Sequence, residues 1–249
     1  MDGGARDRLR DCMQVNCSEY TSEEMMTIAA ARTFRDGATC FVGVGLPSVA
    51  ACLARELYAP NITLVYESGA IGAKPTAAPL SIADPELAET ADFLVSVPEV
   101  FSYWLQGGRI EMGFLGAAQV DRYGNINSTV IGDYKTPKLR LPGAGGAPLI
   151  AMHAREVVVI VRQTAKSFVS NVDFLSTAPA GPTTVVTDLG IMERDFTTRE
   201  LIFTAIHPGV DADQIRQATG WPIAIKSDLR ESLPPTDAEL RLLRELNAR

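Results

Sequence analysis

Histidine is nearly missing from this sequence: only His153 and His207 occur among its 249 residues. Cysteine is scarce as well. Cys12, Cys17, Cys40 and Cys52 form no C-x-x-C pair, and no histidine stands near them. A Cys/His metal cluster is therefore not expected, and no metal is assigned. Cys40 falls in an apolar, strand-like stretch and Cys52 in a helix-like one, so both read as core. That usage fits a reducing cytoplasm, the expected location. Positive charge is the minority, with 23 Lys and Arg against 30 Asp and Glu and a net charge of -7. Such a balance disfavours nucleic acid and anionic membrane, which need clustered basic groups. No apolar run reaches the roughly 18 residues of a membrane span. Met1 to Ser18 lacks the apolar core of a signal peptide, so residues 1–19 are expected to be a flexible leader. The rest, 20–249, shows no repeat or low-complexity linker and is expected to form one domain.

What is present alternates between strand and helix signals. Thr21-Ser22-Glu23-Glu24 has the form of a capping box, and Met25, Ile28, Ala29 and Phe34 follow at helical spacing up to Asp36-Gly37. Thr39 to Val42 reads as a short strand, Ser48 to Tyr58 as a helix, and Ile62 to Tyr66 as a second strand. Further strands are expected at 92–95, 110–115, 184–187 and 201–206, and short helices at 99–106 and 211–219. Val157 to Val161 is a β-branched run of the kind found at the centre of parallel sheets. A last amphipathic helix spans 236–247. The pattern predicts an α/β fold: an open, mostly parallel sheet with helices on both faces.

Three places can carry chemistry. The strand at 62–66 ends on Glu67, followed by Ser68 and Gly69. Ligands of open α/β sheets bind beyond the carboxyl ends of the strands. A carboxylate there can serve as a general base or a covalent nucleophile, or it can simply be solvated. The small residues after it leave room for close approach. Gly43-Val44-Gly45 lies between a strand and a helix. It can offer backbone amides to a phosphate or carboxylate, or it can be a plain tight turn. It lacks the third glycine of a dinucleotide fingerprint, although Glu67 stands at roughly the distance of a ribose-binding acid. Pro142 to Pro148 contains Gly143-Ala144-Gly145-Gly146. It is either a loop or an anion cradle, the latter favoured if a helix begins near Leu149. Gln119 to Asn127 reads as a hairpin turning at Gly124-Asn125. There is no G-x-S-x-G and no P-loop, so serine-hydrolase and nucleotide-triphosphate chemistry lack support.

The residues resemble a known family. VGVGLPSVAACLARELYAPNITLVYESG (42–69), FLGAAQVDRYGNINSTVIGDYKTPKLRLPGAGGAPLIA (114–151), FVSNVDFLSTAPAGPTTVVTDLGIM (168–192) and HPGVDADQIRQATGW (207–221) are together similar to the β subunit of family I CoA transferases, most closely the glutaconate CoA-transferase type. The resemblance spans about residues 20–246. It implies that Glu67, in an E-[SN]-G motif with Ser68 and Gly69, is the nucleophile. It further implies that Gly143, Ala144, Gly145 and Gly146, and the loop of Gly43 and Gly45, lie by the active site. Coenzyme A is then a substrate and part of a covalent intermediate rather than a resident cofactor. A separate α subunit completes the enzyme, as a heterodimer or its multiple, and the substrates are an acyl-CoA and a carboxylic acid. Arg109, Arg122 and Arg140 are candidates for gripping a dicarboxylate, unless they are only surface charges. Alternatives on the same scaffold are an acyl-CoA hydrolase, a decarboxylase, a ring-opening hydrolase of CoA esters, or a non-catalytic partner subunit.

Overall fold

Residues 19–248 are described in a computed structural model. The expected leader, with Cys12 and Cys17, therefore lies outside the described residues except for Glu19. The chain begins with helix α1 (Ser22–Ala31), closed by the capping box: the Glu24 amide donates to Thr21 Oγ1 at 3.1 Å and the Thr21 amide to Glu24 Oε2 at 2.8 Å. Strand β1 (Thr39–Val42), helix α2 (Leu46–Leu57) and strand β2 (Thr63–Val65) follow as a β-α-β unit. Next come β3 (Ala70–Ile71), α3 (Pro85–Glu89), β4 (Phe93–Leu94), a single turn α4 (Val97–Glu99) and a π-helix (Val100–Leu105). Then follow β5 (Met112–Gly116), β6 (Gln119–Val120), β7 (Ile126–Asn127), β8 (Val130–Gly132), β9 (Pro137–Arg140), α5 (Ala147–His153) and β10 (Glu156–Ile160). The chain continues through β11 (Thr183–Val186), β12 (Gly190–Arg194), β13 (Leu201–Ile206), α6 (Ala212–Gln217), β14 (Ala224–Glu231) and α7 (Asp237–Asn247).

Ten strands form one sheet in the order β14-β13-β12-β11-β10-β5-β1-β2-β3-β4. The inner five, β11 to β2, are parallel, and β10 is central as its β-branched run predicts. Antiparallel strands extend both sides: β3 and β4 beyond β2, β12 and β13 beyond β11. Alternation along the strands builds two cores. Cys40, Val42, Leu64, Tyr66 and Phe114 face α1, α2 and α7. Phe41, Val65, Leu115, Val157 and Val159 face the π-helix and α5. Helices thus cover both faces of a mostly parallel sheet, as expected.

Two of the expected elements take another form, and the strands β3, β8, β9, β12 and β14 were not expected. The stretch 92–95 yields only Phe93–Leu94, a two-residue antiparallel edge with both side chains exposed. The stretch 99–106 is not an α-helix but a π-turn, because Val100 and Leu105, five residues apart, are both drawn into the core. The 119–127 hairpin is present, pairing Gln119 with Asn127 and Val120 with Ile126.

One ionic cluster ties the two ends of the described chain. Arg32, at the end of α1, forms a two-pronged bond to Glu239 on α7, Nε to Oε1 at 2.7 Å and Nη2 to Oε2 at 2.8 Å. The Tyr58 hydroxyl donates to the same carboxylate, and the Thr236 amide reaches Oε2 at 2.6 Å. Burial works to raise the Glu239 pKa, but these donors outweigh it and hold it below the ordinary value. Glu239→Ala leaves Arg32 partly buried with no carboxylate, held only by the Leu233 and Pro234 carbonyls, with an expected loss of about 3 kcal/mol in denaturant titration. The contribution is complete above the ordinary glutamate pKa of about 4.3 and fades as pH falls through the lower folded value. The stability gap between wild type and Glu239→Gln should therefore narrow in acid, as thermal melts across pH will register.

Candidate active site

The parallel register pairs Phe41 with Val65, so Gly43 and Glu67 come out side by side at the carboxyl edge of the sheet. The strand order turns back at β1, with β2 on one flank and β5, β10 and β11 on the other. That reversal opens the crevice where α/β sheets receive ligands. Alternation sends Leu64 and Tyr66 to the α1 face and Val65 to the opposite one, so Glu67 emerges on the side of α5 and the π-helix.

Glu67 and Ser68 are the middle of a tight turn. The Gly69 amide donates to Tyr66 O, and the Tyr66 amide to Ala70 O, both at 3.0 Å. Glu67 is half-buried and Ser68 exposed. Gly69 has φ +101, and a Cβ there would lie 1.9 Å from Val95 O. Its smallness thus has a packing cause on the β4 side: the Val95 amide bonds Gly69 O at 3.0 Å, pinning the turn to the neighbouring chain segment.

The glycine loop reaches the same carboxylate from α5. A Cβ on Gly146 would stand 3.2 Å from Glu67 Oε1, and one on Gly145 4.0 Å from Oε2. Gly146 caps α5, which begins at Ala147, two residues before the expected position. Gly143 donates its amide to Ser128 O at 2.9 Å, and Ala144 accepts from the Ala147 amide at 3.0 Å. The amides of Gly145 and Gly146 find no acceptor among the described residues. Two backbone donors in a glycine turn therefore stand free next to a carboxylate.

The other nominated loop is less direct. Gly45, φ +90, caps α2, and Gly43 is held by its amide to Phe114 O at 3.1 Å and by Ser48 Oγ donating to its carbonyl at 2.9 Å. It shares the sheet edge with Glu67, but it is the Gly145–Gly146 turn that lies against the carboxylate. The three arginines are engaged elsewhere. Arg109 donates to Tyr103 O, Arg140 lies over the Tyr134 ring and donates to Tyr134 O, and Arg122 stands 3.7 Å from Glu200 and over Tyr123.

The buried thiols and His207 are disarmed. Burial pushes the Cys40 thiol up to about 12 and Cys52 up to about 11. His207 is wedged between Thr187 O at 2.9 Å and Ser232 Oγ at 3.1 Å, and burial lowers its pKa. Among the described residues no three His, Cys, Asp or Glu gather as a metal-holding group. The neighbour that the sequence did not signal is Phe101. Its ring edge would meet a Gly146 Cβ at 2.6 Å, and nothing in its local pattern separates it from the other aromatic residues of 101–104.

With this geometry in place, similarity to known proteins is informative. The family model described as Coenzyme A transferase matches residues 23–218. One subunit of the 3-oxoadipate CoA-transferase of Pseudomonas knackmussii is 53% identical, over 93% of this chain and 95% of that one. The corresponding subunit of the glutaconate CoA-transferase of Acidaminococcus fermentans is 30% identical, over 92% of each. The crystal structure of the Acidaminococcus fermentans glutaconate enzyme superposes with a TM-score of 0.84 at 29% identity, over 91% of this chain and 94% of that one. These matches extend over the sheet edge and both glycine loops, and the chain belongs to the coenzyme A transferase family as a β-type subunit.

Proposed function

We propose that Glu67 is the covalent carrier of a CoA transfer between an acyl-CoA and a dicarboxylic acid. The observation that carries this reading is the half-buried Glu67 carboxylate lying against the Gly145–Gly146 turn, whose amides have no acceptor among the described residues. A Glu67 oxygen attacks the thioester carbonyl of the donor, the C–S bond breaks, and CoA thiolate leaves behind a mixed anhydride. The thiolate then attacks Cδ of Glu67 and expels the donor acid, so that CoA is held as a glutamyl thioester. The acceptor carboxylate runs the same two steps in reverse and leaves as its CoA ester. No general base is needed, because the attacking carboxylates and thiolate are already ionised. Each addition builds an oxyanion, and the unpaired amides of the adjacent Gly145–Gly146 turn are its proposed donors.

The acceptor class follows the relative with 53% identity, named for 3-oxoadipate, rather than the 30% relative named for glutaconate. Both are dicarboxylates. Because Arg109, Arg122 and Arg140 are engaged elsewhere, the far carboxylate is assigned to the wall supplied by an α subunit. Its presence is supported by relatives that are each named as one subunit of a larger enzyme. We take residues 20–249 as one domain, supported by a sheet whose strands run from Thr39 to Glu231. The buried free thiols of Cys40 and Cys52 suit a cytoplasmic setting.

Incubated with its α partner and an acyl-CoA, the chain should gain a CoA-sized mass on Glu67. Glu67→Ala should lose both the adduct and turnover, the latter by about 10³-fold or more. Full transfer activity in that variant would sink the assignment. Gly146→Ala pushes a methyl against Phe101 and the carboxylate, displacing the turn and its amides, and kcat should fall roughly 10²-fold, the size of effect seen when an oxyanion donor is misplaced. An unchanged kcat would remove the turn from the mechanism. Without the α subunit the chain is expected to be inactive, and measurable turnover by the isolated chain would contradict the shared cleft.

A further inference from the structure

The Glu67 carboxylate is bordered on one side by the Gly145–Gly146 turn, and an aromatic ring edge meets that turn at the same point. A Cβ on Gly146 would lie 3.2 Å from Glu67 Oε1 and 2.6 Å from Phe101 Cζ, so turn, carboxylate and ring edge converge within the breadth of one side chain. The ring leans on Phe41, with centroids 5.8 Å apart and planes at 44°. Its position is set by the π-turn. Val100 and Leu105 are both fully buried, and the Gln106 amide reaches back five residues to Phe101 O at 2.9 Å. In an α-helix, residues five apart diverge around the axis, whereas the wider turn seats both in the core and fixes Phe101 toward the glycine loop. Such turns are rare and recur at functional sites.

We propose that Phe101 is the shield that keeps water from the CoA thioester on Glu67 and so favours transfer over hydrolysis. This rests on Glu67 being the covalent carrier. Two nucleophiles compete for Cδ of that thioester. When the acceptor carboxylate attacks, CoA is conserved in a new ester. When water attacks, its oxygen bonds to Cδ, the C–S bond breaks and the thiolate departs. One proton of the water ends on CoA and the other passes to solvent, and the Glu67 carboxylate is restored with no acyl-CoA formed. The Phe101 ring itself offers a water molecule no hydrogen-bond partner, so an approach across the ring is costly. The acceptor, held through its own charged groups, does not depend on that side. Phe101 is thus a specificity-determining residue for transfer.

The test uses the complex with the α subunit, an acyl-CoA donor and an acceptor acid. Free CoA thiol is measured against new acyl-CoA, with the Glu67 adduct followed by mass. Phe101→Ala should still form the adduct, while the share of donor lost to water rises roughly tenfold. Phe101→Leu, which keeps an apolar side chain, should stay near wild type. Tyr103→Ala, on the same turn but 63% exposed, should not alter the share. If Phe101→Ala fails to fold, Phe101→Val makes a smaller cut and is judged by the same ratio. An adduct that forms with an unchanged hydrolytic share overturns the shield while leaving the carrier intact. Absence of any adduct in the wild-type complex overturns the carrier itself, and the shield with it.

Discussion

Everything at the site depends on the parallel pairing of β1 with β2. A buried parallel pair has a single workable register, since slipping by one residue would turn Cys40 and Val42, or Leu64 and Tyr66, to the wrong face. That register brings the end of β2 level with the end of β1, and strand alternation directs Glu67 to the α5 side. The carboxylate is therefore aimed by the packing of Val65 and Tyr66, both fully buried, rather than by any bond of its own. Pinning of Gly69 to Val95 adds the second constraint, because the turn cannot swing away without breaking the edge strands.

The chemistry left at this edge is narrow, and that narrowness is informative. The two described thiols are buried and held protonated, and His207 is committed to Thr187 and Ser232. A reaction that needs only an ionised carboxylate and oriented amides suits such a site. Acyl transfer through an anhydride is of that kind, whereas chemistry dependent on an imidazole base is not.

Much of this was legible in the residues. The capping box at Thr21, the amphipathic helix at 236–247, the β-branched run of β10 and the placement of Glu67 after an apolar strand all carry local signals that the fold keeps. What was not legible is what tertiary contact decides. The two-residue strands β3 and β4 are too short to show alternation and exist because Val65, Ile71 and Phe93 pair. The π-turn is invisible to a period of 3.6, since it arises from two core positions five apart. The nearness of Gly146 to Glu67 joins segments separated by β3 to β9, and no spacing rule links them. The family resemblance suggested that neighbourhood before the geometry did, but it did not single out Phe101; the Gly43–Gly45 loop shares the sheet edge with Glu67 without lying against its carboxylate.

The clamp between Arg32 and Glu239 bridges 207 positions of chain. Most of the described chain must therefore exist before α7 can lay Leu240, Leu243 and Leu246 over the apolar face shared by α1 and α2. Until then that face stays open to solvent and to other nascent chains. Helix α7 thus acts as a closing latch on a core that α1 and α2 leave open, far from the Glu67 edge, so its loss would cost yield of folded subunit before it cost any rate of catalysis.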